Sequence, residues 1–174
     1  MTQDELNFSR LATADDIADF FCANANADYI SHSELQGGRA LAPGVWNPDL
    51  RQLIFDQANA ILKAQGDASC TAKIYCVYLQ HRLLGVAFLS LSGDTNGVFN
   101  TKRFAVLEDI IISPDARGMR VGKRFLDFII ENLKVNDVHR LFLESGITNH
   151  KAHDFFEREG FQQTSVVMMR ELVN

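Results

Sequence analysis

The chain has 174 residues, 47% of them hydrophobic, which suits one globular domain spanning residues 1–174 with a full core. Its net charge of −5 speaks against a nucleic-acid surface, which needs clustered basic residues, and is compatible with a cationic substrate. Three cysteines (Cys22, Cys70, Cys76) with no C-x-x-C pair and no metal-ligand spacing exclude a disulfide or zinc framework; with no apolar leader and no run of membrane-spanning length, a cytoplasmic protein is expected, without a membrane or metal partner.

Asn7 to Leu11 is a short first strand. Thr13 followed by Asp15 and Asp16 places a capping hydroxyl and two first-turn carboxylates at a helix start, and Ile17, Phe20 and Phe21 form its apolar stripe as far as Ala25. A second helix begins at Asn47-Pro48, buries Leu50, Leu53, Ile54, Ala58, Ile61 and Leu62, and stops at Gly66. Between the two runs a long connection, Asp28 to Trp46, holding Tyr29, His32, Glu34, Arg39 and the only tryptophan. Connections of that length in compact domains are usually functional or mobile, and a surface loop pinned by Trp46 is the competing reading.

Ala72–Gln80 and Leu83–Leu91 form a hairpin about Gln80-His81-Arg82, apolar enough to be covered on both faces, and Ser92 to Asn100 is a glycine-bearing loop. Phe104 to Ile112 is a buried strand bounded by Ser113-Pro114, followed by a polar turn and a helix whose Val121, Phe125, Phe128, Ile129 and Leu133 recur at helical spacing. Such a turn gathers free backbone N–H groups at the positive end of a helix dipole and can hold a phosphate. Leu141 to Phe161 repeats the strand–turn–helix plan, and Ser165 to Leu172 is a last strand. The order β-α-α-β-β-β-α-β-α-β describes an α/β chain: a mixed sheet with helices on both faces and a ligand site beyond the carboxyl end of the Phe104–Ile112 strand.

Within that strand Glu108 and Asp109 are two acids in an apolar run, which is costly unless each has a task or a partner. Alternation sends them to opposite faces, so they do not form a dyad. Glu108 is the leading general base; an ion pair with a nearby Lys or Arg is the competing role. A P-loop does not fit, because Gly118 to Gly122-Lys123 is one residue short and Arg124 stands where a hydroxyl belongs; a dinucleotide fingerprint lacks its third glycine.

Arg117-Gly118-Met119-Arg120-Val121-Gly122 resembles the R/Q-x-x-G-x-G/A pyrophosphate loop of the GNAT N-acetyltransferase family, and Asn149, Ala152-His153-Asp154-Phe155-Phe156 and Gly160-Phe161 resemble its next unit. The resemblance is specific from Val106 to Phe161. It implies a GNAT-like fold and transfer of an acetyl group from acetyl-CoA to a primary amine of a small-molecule or peptide acceptor, by direct attack in a ternary complex. The alternative is a module that binds acyl-CoA without catalysis. The same resemblance implies a cofactor site made of the backbone at Ile110, Ile111 and Ile112, the loop residues Arg117, Gly118, Met119, Arg120, Val121, Gly122 and Lys123, and Asn149 and Phe155. It implies an acceptor site at Tyr29, His32, Glu34 and Trp46, Glu108 as base acting through water, and a monomer or homodimer. Two positions depart from the family pattern. Phe156 replaces a tyrosine used as general acid, for which Tyr29, Tyr75, Tyr78 or a water would have to stand in. Arg120 replaces a glycine: a positive φ there would cost on the order of 1 kcal/mol, and an outward Cβ at ordinary φ, with the side chain near a 3′-phosphate, is the favoured reading.

Overall fold

A computed structural model of the protein describes residues 5–92, 103–116 and 118–172. The first strand, β1, is shorter than expected, Leu6–Asn7. Helix α1 (Ala14–Asn24) starts as its sequence directs: the Thr13 hydroxyl accepts from the Asp16 N–H at 3.1 Å. The long connection is ordered rather than open. It holds a 3₁₀ turn (Ala27–Tyr29), α2 (His32–Gln36) with a Ser31–Glu34 capping box, and a small hairpin of β2 (Ala40–Ala42) and β3 (Val45–Trp46). Helix α3 (Leu50–Ala64) begins two residues later than Pro48, because the Asn47 side chain instead caps a turn by accepting from the Asp49 N–H at 2.9 Å.

Strands β4 (Ala72–Leu79), β5 (Arg82–Leu91), β6 (Phe104–Ile112) and β7 (Arg140–Leu143) complete one mixed sheet in the order β1-β4-β5-β6-β7, parallel between β6 and β7. Helices α4 (Val121–Val135) and α5 (His150–Arg158) follow β6 and β7. Most of the predicted loop after β5 lies outside the described residues. The predicted strand at Ser165–Leu172 does not form; residues 162–172 are irregular and exposed, with no neighbouring strand among the described residues. Ile17, Phe21, Ile54 and Ala58 of α1 and α3 pack on one face of the sheet with Ile74, Phe88 and Ile111, and Phe125, Leu126 and Ile129 of α4 pack on the other with Leu89 and Leu107. The mixed sheet covered on both faces is the architecture expected from the element order.

Cys76 of β4 is fully buried, and burial pushes its thiol from 9.0 up to about 11. With the folded value above the unfolded one, the stability gained by keeping this thiol neutral is complete below about pH 9 and is lost as pH rises toward 11. Thermal melts across that window should therefore fall more steeply for the parent than for Cys76→Ala, by up to about 2–3 kcal/mol. Parallel pH profiles for the two proteins would assign the alkaline loss elsewhere.

Candidate active site

The sheet splits at its carboxyl end. β7 pairs with β6 only from Phe104 to Leu107, so β6 beyond Glu108 has an open edge. The Ser113 N–H donates to the Leu84 carbonyl at 2.8 Å, and the Ile111 carbonyl lies against Gly85 of β5. Alternation then turns the backbone of Ile111 toward β5 and that of Ile110 and Ile112 toward the opening. Of the three isoleucines, two offer backbone groups to a ligand.

Helix α4 opens beside this split. Its first backbone bond runs from the Arg124 N–H to the Arg120 carbonyl, which leaves the Val121, Gly122 and Lys123 amides without partners inside the helix. Gly118 takes φ 82°, a conformation that favours glycine. Arg120 takes φ 54°, in the left-handed region, so the favoured reading of an outward Cβ at ordinary φ is corrected: the arginine bears a backbone strain that a glycine there would not. A Cβ on Gly122 would stand 3.6 Å from the Phe155 ring, so alanine fits but a longer side chain meets that ring. The Lys123 ammonium is held at 2.9 Å by Glu159 and at 3.3 Å by Asp127, which raise its pKa; its backbone, not its charge, is what the loop has free. Met119 is exposed, and Arg117 lies outside the described residues.

A cavity of about 310 Å³ fills the split. Glu108, Ile110 and Ile112 form one wall; Leu143, Glu144 and Ser145 at the end of β7 form another; Gly122 and α5 residues Phe155 and Phe156 close the side toward the start of α4, and Tyr29, Ser31 and Glu34 the opposite one. Asn149, the N-cap residue of α5, makes no side-chain cap bond and lines the cavity, which leaves its amide free for a ligand. Sequence reasoning missed Glu144, Ser145 and Lys151, which also line it. The signal for the first two was their place immediately after a strand's carboxyl end. The Ser145 hydroxyl is buried without a hydrogen-bond partner.

Glu108 sits at a bulge. Leu89 of β5 pairs with Leu107 and the adjacent Phe88 with Asp109, so Glu108 is one extra residue on β6. Before it, Ala105 and Leu107 face α4; after it, Ile110 and Ile112 do, and Ile111 faces α1 and α3. Strict alternation fails at this point, and partners rather than faces separate the two acids. Glu108 stays at the cavity wall, accepting from the Ser90 hydroxyl. Asp109 is buried and paired: both its oxygens accept from Arg39, at 3.0 and 2.9 Å, and one from the Tyr29 phenol at 2.7 Å. The ion pair that competed for Glu108 belongs to Asp109.

Arg39 organises the side of the cavity around Tyr29 and Glu34. Besides Asp109 it donates to Gln57 of α3, lies 4.0 Å from the buried Glu34, and stacks 5.3 Å from the Phe21 ring. Burial, then the Asp109 charge, hold the Tyr29 phenol well above its usual pKa. Two residues expected at the acceptor site stand outside the cavity lining. Trp46 packs behind Tyr29 and Phe21, at ring separations of 6.2 and 6.0 Å, while His32 is half exposed and, with Ser33, holds α2 to Glu144. Gly146 presses the β7–α5 loop onto the 3₁₀ turn so closely that a Cβ would come within 2.2 Å of the Asp28 carbonyl oxygen.

Among solved structures the fold is similar to a tetramutant of the BH1408 protein from Bacillus halodurans, at a TM-score of 0.68 and 15% identity, covering 97% of this chain and 99% of that one. It is similar also to an acetyltransferase of Trypanosoma brucei (TM-score 0.57, 20% identity, 97% and 100% covered). A third neighbour is the aminoglycoside N-acetyltransferase AAC(6')-Iy in complex with CoA (TM-score 0.59, 15% identity, 82% and 91% covered). No curated protein matches the chain. The family model described as the acetyltransferase (GNAT) family matches residues 39–161, a span that takes in Arg39, both walls of the split and the start of α4. The chain therefore belongs to the GNAT acetyltransferase family.

Proposed function

We propose that the protein is an acetyl-CoA-dependent N-acetyltransferase that modifies a primary amine by direct attack in a ternary complex. The observation that carries this reading is the bulged Glu108 facing the same cavity as the amide-rich start of α4. Those amides, with glycine at 122 permitting close approach, suit a pyrophosphate, and the free backbone of Ile110 and Ile112 suits a pantetheine arm laid along the open edge. When bound, acetyl-CoA supplies the thioester. An N–H of the open edge polarises its carbonyl as charge develops on oxygen. Glu108, through a water, would take the first proton from the incoming ammonium; the neutral nitrogen would attack the carbonyl carbon and lose its second proton to solvent as the carbon–sulfur bond breaks and the sulfur leaves as thiolate.

The buried Phe156 has no proton to give the departing sulfur, and the Tyr29 hydroxyl already donates to Asp109. Tyr75 and Tyr78 do not line the cavity. A thiol with pKa near ~8.5 leaves adequately as thiolate near neutral pH. This missing acid is what favours the second reading, a module that binds acyl-CoA without turnover. Release of free thiol across a panel of amines separates the two: turnover with any amine supports the enzyme, and CoA-dependent thermal stabilisation without turnover supports the binder. Gly122→Glu should abolish that stabilisation. The unliganded protein should still fold, since replacing a glycine within a helix gains about 1 kcal/mol of propensity against the displacement of the Phe155 ring that the longer side chain meets. A CoA response undiminished in this variant would place the pyrophosphate away from α4.

A further inference from the structure

We propose that the cavity takes a small dication as its acceptor: Glu108 faces the amine that reacts, and Glu144 holds a second ammonium one short methylene chain away. The inference rests on the reading of this cavity as an acceptor site and names what that site selects. β6 and β7 run parallel with Val106 beside Phe142 and Leu107 beside Leu143, and Leu107 and Leu143 both pack toward α4. The next residue on each strand, Glu108 or Glu144, therefore turns to the other face. Two carboxylates stand at the same height on neighbouring strands.

Like charges side by side on one face of a sheet are destabilising. Among the described residues Glu108 is met by the Ser90 hydroxyl, and Glu144 by the Ser33 hydroxyl at 2.9 Å and a His32 ring nitrogen at 3.3 Å. Neither is paired with a lysine or arginine, and each keeps lone pairs to spare. Across the cavity Glu34 shares the one guanidinium of Arg39 with Asp109, so two carboxyl groups stand against one cation there as well. Three glutamates thus line the cavity, and Lys151 is the one basic side chain among the described lining residues. A cleft of one sign with low-dielectric walls concentrates ions of the other. The buried Ser145 hydroxyl, next along from Glu144 and without a partner, can accept from an ammonium held there. Cations separated by about the 4.8 Å strand spacing, or a little more, would meet one carboxylate each. The cavity volume of 310 Å³ suits a small flexible acceptor.

Three amines of similar length test this: tetramethylenediamine, n-butylamine and γ-aminobutyrate, which end in a second ammonium, a methyl and a carboxylate. Thiol release with acetyl-CoA gives KM, and calorimetry with CoA present gives Kd whether or not turnover occurs. The diamine should have the lowest KM and Kd, by about tenfold or more over n-butylamine, the weight of one charge-assisted hydrogen bond; γ-aminobutyrate should have the highest. Glu144→Gln should close most of that gap, and Glu144→Asp, which keeps the charge, should preserve most of it. Glutamine can still accept from the Ser33 hydroxyl, so α2 should stay docked. Ser33→Ala loosens the same contact without touching the charge and should leave the preference in place. A diamine that binds in preference without turnover would support the dication site and overturn the enzyme reading. Diamine and monoamine behaving alike in the parent, or a preference that survives Glu144→Gln, would overturn the dication site, and thiol release in the same assays would leave the enzyme reading standing.

Discussion

Glu108→Gln should lower kcat/KM by roughly 10²-fold or more, the usual weight of a general base. Glutamine keeps an oxygen that can accept from the Ser90 hydroxyl, so the bulge and the cavity wall should survive the change. What is lost is the ability to take a proton. The loss should be greatest at low pH, where the acceptor is most fully ammonium, and smallest at high pH, where free amine is already abundant. CoA-dependent thermal stabilisation should be nearly intact, because the amides of α4 are untouched. Steady-state rates across pH test this, and a uniform loss of less than about tenfold would make Glu108 a structural carboxylate.

Arg39→Met should destabilise the protein by about 3–5 kcal/mol, the range for breaking a buried pair from one side. Asp109 and Glu34 are each only 2% exposed, and Arg39 is the cation beside both. Methionine fills much of the same volume but leaves both buried carboxylates without their cation. The double variant Arg39→Met with Asp109→Asn should recover a large part of the loss, because asparagine carries no charge and can still accept from the Tyr29 phenol. Urea unfolding of the three proteins measures the effect. A single-variant loss below about 1 kcal/mol would place this pair with exposed ones.

Much of this molecule is legible in its sequence because short-range periodicity decides it. Val121, Phe125, Ile129 and Leu133 fall on one helical face, and all four are buried. The strand–turn–helix grammar around Gly118 likewise placed the start of α4. The Arg39–Asp109 pair was not legible, since seventy residues separate its members and nothing local distinguishes Asp109 from Glu108. Nor was the left-handed Arg120, where the backbone keeps a conformation that its side chain disfavours. The place of Trp46 was not legible, because a lone aromatic in a long connection looks the same whether it lines a cavity or props up the tyrosine that does. Composition made residues 165–172 a strand, but a strand also needs a neighbour, and the described residues offer none within the chain.

The bulge also bears on how this strand tolerates insertions and deletions. With Glu108 removed, Ala105, Leu107, Ile110 and Ile112 fall into unbroken two-residue repeat, and Asp109 joins Ile111 on the other face. The core would accept the shortened strand, since every apolar side chain keeps its layer and the ladder with β5 becomes regular. The odd residue therefore does nothing for the packing of β6. Its length is set by the cavity, and a one-residue deletion here should leave a protein that folds and has lost only the carboxylate at the wall.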